Sequence, residues 1–160
     1  MIRIAQTEDL EKIVAIYNQT IHLKNVTADT EKVSVESRAE WFKQFNASRP
    51  LWVYEMNADV VAWLSIRSFY GRPAYNKTVE IGLYIDENFR QHGIGAELIM
   101  HAINECKKIG VETILAFIFG NNDVSLHFFN KYGFVTYGIL PGVAEIDRSK
   151  IDLHILGLKL

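Results

Sequence analysis

At 160 residues, with 49% apolar and 22% charged side chains, the chain is long enough to bury a core without disulfide staples and reads as a single domain, 1–160. Its 17 basic and 19 acidic residues leave a formal charge of −2, which gives no general attraction to nucleic acid or to an anionic membrane surface. Cys106 has no second cysteine to pair with, no apolar run approaches the roughly 18 residues of a membrane span, and Ile2-Arg3-Ile4-Ala5 lacks the pattern of a secretory leader, so the expected compartment is the cytoplasm.

In chain order, Ile2 to Ala5 reads as a short strand. Thr7 is the expected cap of a first helix, with Glu8 and Asp9 in its first turn, burying Leu10, Ile13, Val14, Ile16, Tyr17 and Ile21 and ending near His22. Lys24 to Val33 is polar and aperiodic, a loop; Ser34 or Ser37 then caps a second helix carrying Trp41, Phe42 and Phe45, closed by Arg49-Pro50. Leu51–Met56 and Val60–Ile66 are two strands across the link Asn57-Ala58-Asp59. Arg67 to Lys77 is irregular, broken by Gly71 and Pro73.

Thr78 to Ile85 is the central strand, rich in β-branched and aromatic residues. Past the polar link Asp86–Phe89 comes Arg90-Gln91-His92-Gly93-Ile94-Gly95, and then a helix with Leu98, Ile99, Ala102, Ile103, Cys106 and Ile109 on one face. Thr113 to Phe119 is a continuous apolar run, a strand covered on both faces. Asn121-Asn122-Asp123 caps a helix to Lys131, and Phe134–Leu140 and Ile151–Leu160 are two final strands joined across Pro141-Gly142. The order gives an α/β domain with a mixed sheet.

A strand, a glycine loop and a helix form a phosphate-binding layout, because glycines admit close backbone approach and free N–H groups at a helix start attract anions. The spacing is not that of a Walker loop, and Leu98 stands where a dinucleotide fingerprint needs its third glycine. Taken alone, Arg90-x-x-Gly93-x-Gly95 is equally a plain strand-to-helix turn. It resembles the acetyl-CoA pyrophosphate loop of the GNAT N-acetyltransferases, Arg/Gln-x-x-Gly-x-Gly/Ala. Asn122-Asp123-Val124-Ser125, leading through Phe128 and Phe129 to Gly133-Phe134, looks like the second signature of that family, although Asn122 and Ser125 also suit a simple helix cap. Ile16-Tyr17-Asn18, Ser37-Arg38 with Trp41-Phe42, and Arg72-x-Ala74-Tyr75-x-x-Thr78-Val79-Glu80 resemble the phosphinothricin and methionine-sulfoximine acetyltransferase group over essentially the whole chain.

The resemblance implies the GNAT fold, a central mixed, mostly antiparallel twisted sheet flanked by helices. It implies acetyl-CoA as co-substrate, held by Leu83, Tyr84 and Ile85, by Arg90, Gln91, His92, Gly93, Ile94, Gly95 and Ala96, and by Asn122 and Ser125. It further implies direct acetyl transfer to the primary amine of a small amino-acid-like molecule, with Glu80 as general base and a backbone N–H near Leu83–Ile85 as oxyanion donor. Arg72 and Tyr75 are the substrate-binding candidates, since a guanidinium grips a carboxylate or phosphinate and a phenol orients it. Members of the group are usually homodimers.

The chain departs from the pattern twice. Phe129 stands where many relatives carry a Tyr or His that protonates the leaving thiolate, so the proton is expected from water or from the amine. In the last hairpin the Lys and Trp positions of Gly-x-Lys-x-Gly-x-Trp-x-Asp are lost and only Asp152 survives, which leaves the acceptor open. His22, His92, His101, His127 and His154 have no metal spacing, so no metal site is expected. Peptide N-acetylation on the same fold and a non-catalytic acyl-CoA-binding module are the alternative readings.

Overall fold

Seven strands form one sheet in the order β1-β2-β3-β4-β5-β7-β6 in the computed structural model, which describes all 160 residues. The strands are β1 (Ile2–Ile4), β2 (Leu51–Met56), β3 (Asp59–Ser68), β4 (Thr78–Ile85), β5 (Thr113–Phe119), β6 (Val135–Ile146) and β7 (Ser149–Lys159). Helices α1 (Leu10–Asn18) and α2 (Val35–Phe42) precede β2, while α3 (Ile94–Lys108) links β4 to β5 and α4 (Asp123–Lys131) links β5 to β6. Only the β4–β5 pairing is parallel, as a helical crossover between neighbouring strands requires.

The sheet has two unlike faces. Leu64, Ile66, Val79, Ile81, Ile114 and Leu156 pack with Leu98, Ile99, Ala102 and Cys106 of α3 and Phe129 of α4 into a dry core. Burial there pushes the Cys106 thiol up to about 12, so it is an inert apolar filler. On the other face, Ile13 and Ile16 of α1 pack with Leu51, Val53, Val60 and Trp63, and Trp41 and Phe42 of α2 close over them. The indole of Trp63 donates to the Ile13 carbonyl at 3.0 Å, fixing α1 to the sheet.

Several boundaries differ from the sequence reading, each for a local reason. Thr7 does not cap the first helix. Asp9 is drawn instead into a paired position, accepting from the Gln6 N–H at 2.7 Å and from both terminal nitrogens of Arg3 at 2.7 and 2.9 Å. The helix ends at Asn18 rather than near His22, because the Asn18 amide leaves the helix to pair with both backbone groups of Val33, each at 2.9 Å. That pair ties the 24–33 loop down like one rung of a ladder. Ser34, and not Ser37, caps α2.

The last hairpin turns at Asp147-Arg148, both at positive φ, not at Pro141-Gly142. Pro141 is tolerated mid-strand because β6 is the edge of the sheet, where a missing N–H breaks no inner ladder. Register slips at 136/138 and 140/144 absorb the irregularity.

Candidate active site

β4 runs beside β5 for three residue pairs only, Thr78↔Thr113, Val79↔Ile114 and Glu80↔Leu115. Beyond Glu80 the two strands no longer pair. The Asp86 N–H donates to the Val61 carbonyl at 2.9 Å, so even-numbered residues of β4 direct their N–H groups to β3. By the alternation of a strand, those of Leu83 and Ile85 face the opening between β4 and β5. Backbone donors in such a gap suit the amides of an extended ligand and the oxygen of a thioester.

The glycine loop lies directly beyond. Gly93 caps α3 at φ +79, a conformation that side-chain-bearing residues rarely adopt, and a Cβ there would meet nothing within 4 Å. Gly95 has another purpose: its missing Cβ would sit 3.2 Å from the Phe128 ring and 3.3 Å from Ile85, so it lets α3 close onto α4 and β4. The first helical bond of α3 that reaches back to the loop is Glu97 N–H to the Gly93 carbonyl. The N–H groups of Ile94, Gly95 and Ala96 therefore remain for an anion. Arg90 lies exposed in the loop, its Nε 3.4 Å from the Ile85 carbonyl, and His92 Nδ1 sits 2.8 Å from the Arg90 carbonyl. Gln91 adopts φ 64, completing the turn. These groups fit a pyrophosphate.

Asn122 does cap α4, its side-chain oxygen accepting from the Ser125 N–H at 3.1 Å. Its amide nitrogen has no partner within the chain and is left to donate. Phe129, four residues after Ser125, is buried in the dry core against Phe134 at 5.0 Å between ring centroids, so it offers no proton.

On the opposite face of the sheet a cavity of about 700 Å³ opens under α1, α2 and the 24–33 loop. Its floor is a set of cross-strand pairs from β3 and β4 in register: Arg67 opposite Glu80, Ser65 opposite Gly82, and Trp63 opposite Tyr84. Arg67 Nη2 donates to Glu80 Oε1. Ser65 and Gly82 keep the middle of the floor low, since a Cβ on Gly82 would press on Ser65 Oγ at 3.0 Å. Trp63 and Tyr84 stack at 4.4 Å and form a wall. Desolvation there pushes the Tyr84 phenol well above its ordinary range, so its hydroxyl stays protonated at physiological pH.

A second charged group closes the roof. Tyr17 donates to Asp29 and shares a hydrogen bond with Thr27, and Arg38 donates to the same Asp29 oxygen at 2.7 Å. The Arg38 guanidinium also lies over Tyr17 at 5.0 Å and Trp41 at 5.7 Å. Lys24 pairs with Asp147, tying the 24–33 loop to the last hairpin.

Of the residues singled out in the sequence, Tyr17, Arg38, Trp41, Glu80 and Tyr84 line this cavity, while the loop residues 90–96 lead into α3 and Asn122 and Ser125 stand at the start of α4. Arg72 and Tyr75 do not line it. Arg72 is exposed just before a short 3₁₀ turn, and Tyr75 packs on Phe69 at 5.4 Å and on Tyr70 at 6.0 Å, and so reaches the cavity only through those two neighbours. Arg67 and Asp29 went unnoticed in the sequence. Arg67 sat at the start of a stretch read as irregular, yet β3 extends to Ser68, and a strand of that length paired antiparallel to β4 would have placed it opposite Glu80.

A seven-stranded sheet split after three parallel pairs, a glycine-loop helix at the split and a cavity with a carboxylate on the adjoining strand form the architecture of a transferase that brings an extended, anionic ligand to a second molecule. Residues 11–134 match the model of the acetyltransferase (GNAT) family, and the chain belongs to that family of N-acetyltransferases. It is 50% identical over 160 residues to YwnH of Bacillus subtilis, a candidate phosphinothricin acetyltransferase, covering 99% of this chain and 98% of that one. It is 24% identical to the L-methionine sulfoximine/L-methionine sulfone acetyltransferase of Salmonella typhimurium, over 99% of this chain and 94% of the relative. A crystal structure of a candidate phosphinothricin N-acetyltransferase superposes with a TM-score of 0.95 at 49% identity, covering 100% of this chain and 98% of the other. The fold is shared with a Salmonella typhimurium acetyltransferase solved with its cofactor acetyl-CoA, at a TM-score of 0.92 and 24% identity over 100% of this chain and 93% of that one.

Proposed function

We propose that the protein moves the acetyl group of acetyl-CoA directly onto the primary amine of a small amino-acid-like acceptor of the phosphinothricin or methionine sulfoximine type, with Glu80 as general base. The observation that carries this reading is the position of Glu80. It is the last β4 residue paired to β5, its carboxylate lies in the cavity, and the strand gap begins at the next residue. An amine held in the cavity is thereby placed between a base and the opening through which a thioester would reach it. The two curated relatives carry the same theme in their names.

When bound, acetyl-CoA supplies an acetyl thioester, whose carbonyl carbon gains the acceptor nitrogen as its C–S bond breaks. Glu80 takes one proton from the acceptor ammonium, which makes the nitrogen nucleophilic. The second proton leaves the nitrogen with the departing thiol or through water, since Phe129 has none to give. The N–H groups of Leu83 and Ile85 orient the carbonyl oxygen, and those at the start of α3, with Arg90, hold the pyrophosphate. Asn122 and Ser125 border the arm between. Arg72 and Tyr75, which stand outside the cavity, meet the acceptor as it approaches. The protein acts in the cytoplasm as a homodimer, for which the exposed Val135, Tyr137 and Ile139 of β6 offer an apolar surface.

The test is release of free thiol from acetyl-CoA with a panel of L-amino acids that includes methionine sulfoximine, methionine sulfone and phosphinothricin. Turnover of one of these, lost in Glu80→Gln with acetyl-CoA binding intact, is the expected result. Tight acetyl-CoA binding without turnover of any of them overturns it.

A further inference from the structure

The two arginines of the cavity are held very differently. Arg38 is locked by Asp29, which also accepts from Tyr17, and its guanidinium is pinned over two aromatic rings. Arg67 has a single partner, the Glu80 carboxylate, and no ring beneath it. Its side chain keeps 44% of its surface exposed, against 26% for Arg38. An ion pair that open to solvent is worth little and is cheaply exchanged.

That single contact has a chemical consequence for the reaction, because it occupies the group proposed as base. With Arg67 bound to Oε1, Glu80 is already satisfied by a cation that can never give up its proton. An incoming ammonium has to compete for it. A bare amine would gain one ion pair with Glu80 while leaving Arg67 with none. An α-amino acid carries an ammonium and a carboxylate on the same carbon. Inserted between the two side chains it makes two pairs where one was broken.

The geometry of the floor suits such an insertion. Arg67 and Glu80 are directly opposite on antiparallel strands, which puts their Cβ atoms about 5 Å apart. Their heads separate by bending away from each other over the low Ser65–Gly82 step, toward which the substrate's outer group can extend until it meets the Trp63–Tyr84 wall. Resting on the reading of Glu80 as base, we infer that Arg67 is the specificity-determining residue of this enzyme. It masks Glu80 in the free protein and is drawn off by the acceptor's own carboxylate, so that acceptors bearing an α-carboxylate unmask the base that deprotonates them. The exchange breaks no covalent bond; the only proton that moves is the one passing from the ammonium to Glu80.

The experiment compares L-methionine sulfone with its decarboxylated counterpart, 3-(methylsulfonyl)propylamine, as acceptors for the unaltered protein, Arg67→Met and Arg67→Lys, with thiol release as readout. The unaltered enzyme should favour the amino acid by about a hundredfold in kcat/KM, the equivalent of losing one good charge pair. In Arg67→Met the amino acid should lose at least about tenfold, chiefly through KM, while the bare amine holds its rate or gains. Arg67→Lys, which restores a cation without the fork, should recover part of the preference. If Arg67→Met does not fold, as judged by acetyl-CoA binding, the lysine variant decides by the same ratio.

A preference that survives undiminished in Arg67→Met or, where that variant does not fold, in Arg67→Lys, or a parallel fall on both acceptors, overturns the exchange and assigns Arg67 a structural role. Equal use of both acceptors by the unaltered enzyme overturns the exchange alone and leaves the acetyltransfer reading standing. No turnover of any amino acid overturns that reading and the exchange with it.

Discussion

The two faces of the sheet are built by different means. On the α3–α4 side the groups on offer come largely from the backbone: N–H groups at a helix start, a glycine at φ +79, and strand residues past the end of a ladder, with Arg90, Asn122 and Ser125 adding side chains. On the α1–α2 side they are side chains carried to one cavity by different elements, Glu80 with Arg67 and Asp29 with Tyr17 and Arg38. A backbone site is fixed once the fold forms and tolerates many side chains. A side-chain site can be retuned by one substitution without disturbing the fold.

If the faces are separable, substitutions on one should leave the other's readout alone. The largest effect is expected from Glu80→Gln, which should lower kcat by about 10²–10⁴-fold in a thiol-release assay while calorimetric acetyl-CoA affinity is unchanged. A matching loss of cofactor affinity would break the separation. Phe134→Ala, which empties a fully buried position in the α3–α4 core, should cost about 3–5 kcal/mol in chemical denaturation and lower activity only through the folded fraction. Gly93→Val forces a β-branched residue into the left-handed region, a penalty of about 1–2 kcal/mol. It should weaken acetyl-CoA binding by about tenfold while the KM for the amine stays near its original value.

Two smaller effects sharpen the picture on the α1–α2 side. The Arg3 guanidinium holds the Asp9 carboxyl below the usual carboxylate range. A depressed folded-state value means that this pair stabilises the protein above the ordinary Asp range and that the contribution drains away as pH falls through the folded value. Asp9→Asn should therefore lower the melting temperature at pH 7 and flatten its fall on acidification, a loss of about 1–3 kcal/mol for a charged hydrogen-bonded pair. Lys24→Ala, removing an exposed pair, should change stability by less than about 1 kcal/mol. An activity change from that substitution would show that tying the 24–33 loop to the last hairpin matters to the cavity beneath it.

The same division explains what could be read from the sequence. The glycine loop, its strand and its helix are contiguous, so local rules and a short motif disclosed them together. Most elements followed from apolar periodicity for the same reason. The last hairpin did not, because Pro141-Gly142 is a strong turn signal that edge position overrode, while the real turn at Asp147-Arg148 has no glycine to mark it. The first helix was read too long because the tertiary contact of Asn18 with Val33 is invisible to any local pattern. The cavity under α1 and α2 suffers most from this blindness: its charge pairs join residues 67 with 80 and 29 with 38 and 17, whose meeting depends on strand register and on where a loop folds. Arg72 and Tyr75 drew attention by their motif, whereas the cavity floor presents Arg67.

The edge strand β6 has a further consequence, for life in a crowded solution. Exposed strands are templates on which other chains can add, and this one displays Val135, Tyr137 and Ile139 besides. Pro141 removes one of the N–H groups that such a template needs, and the two register slips bend the rest out of line. The molecule therefore carries its own guard against strand-by-strand polymerisation, and two copies that meet at this edge must do so through side-chain faces. Replacing Pro141 with a β-branched residue would repair the template, and with it the hazard.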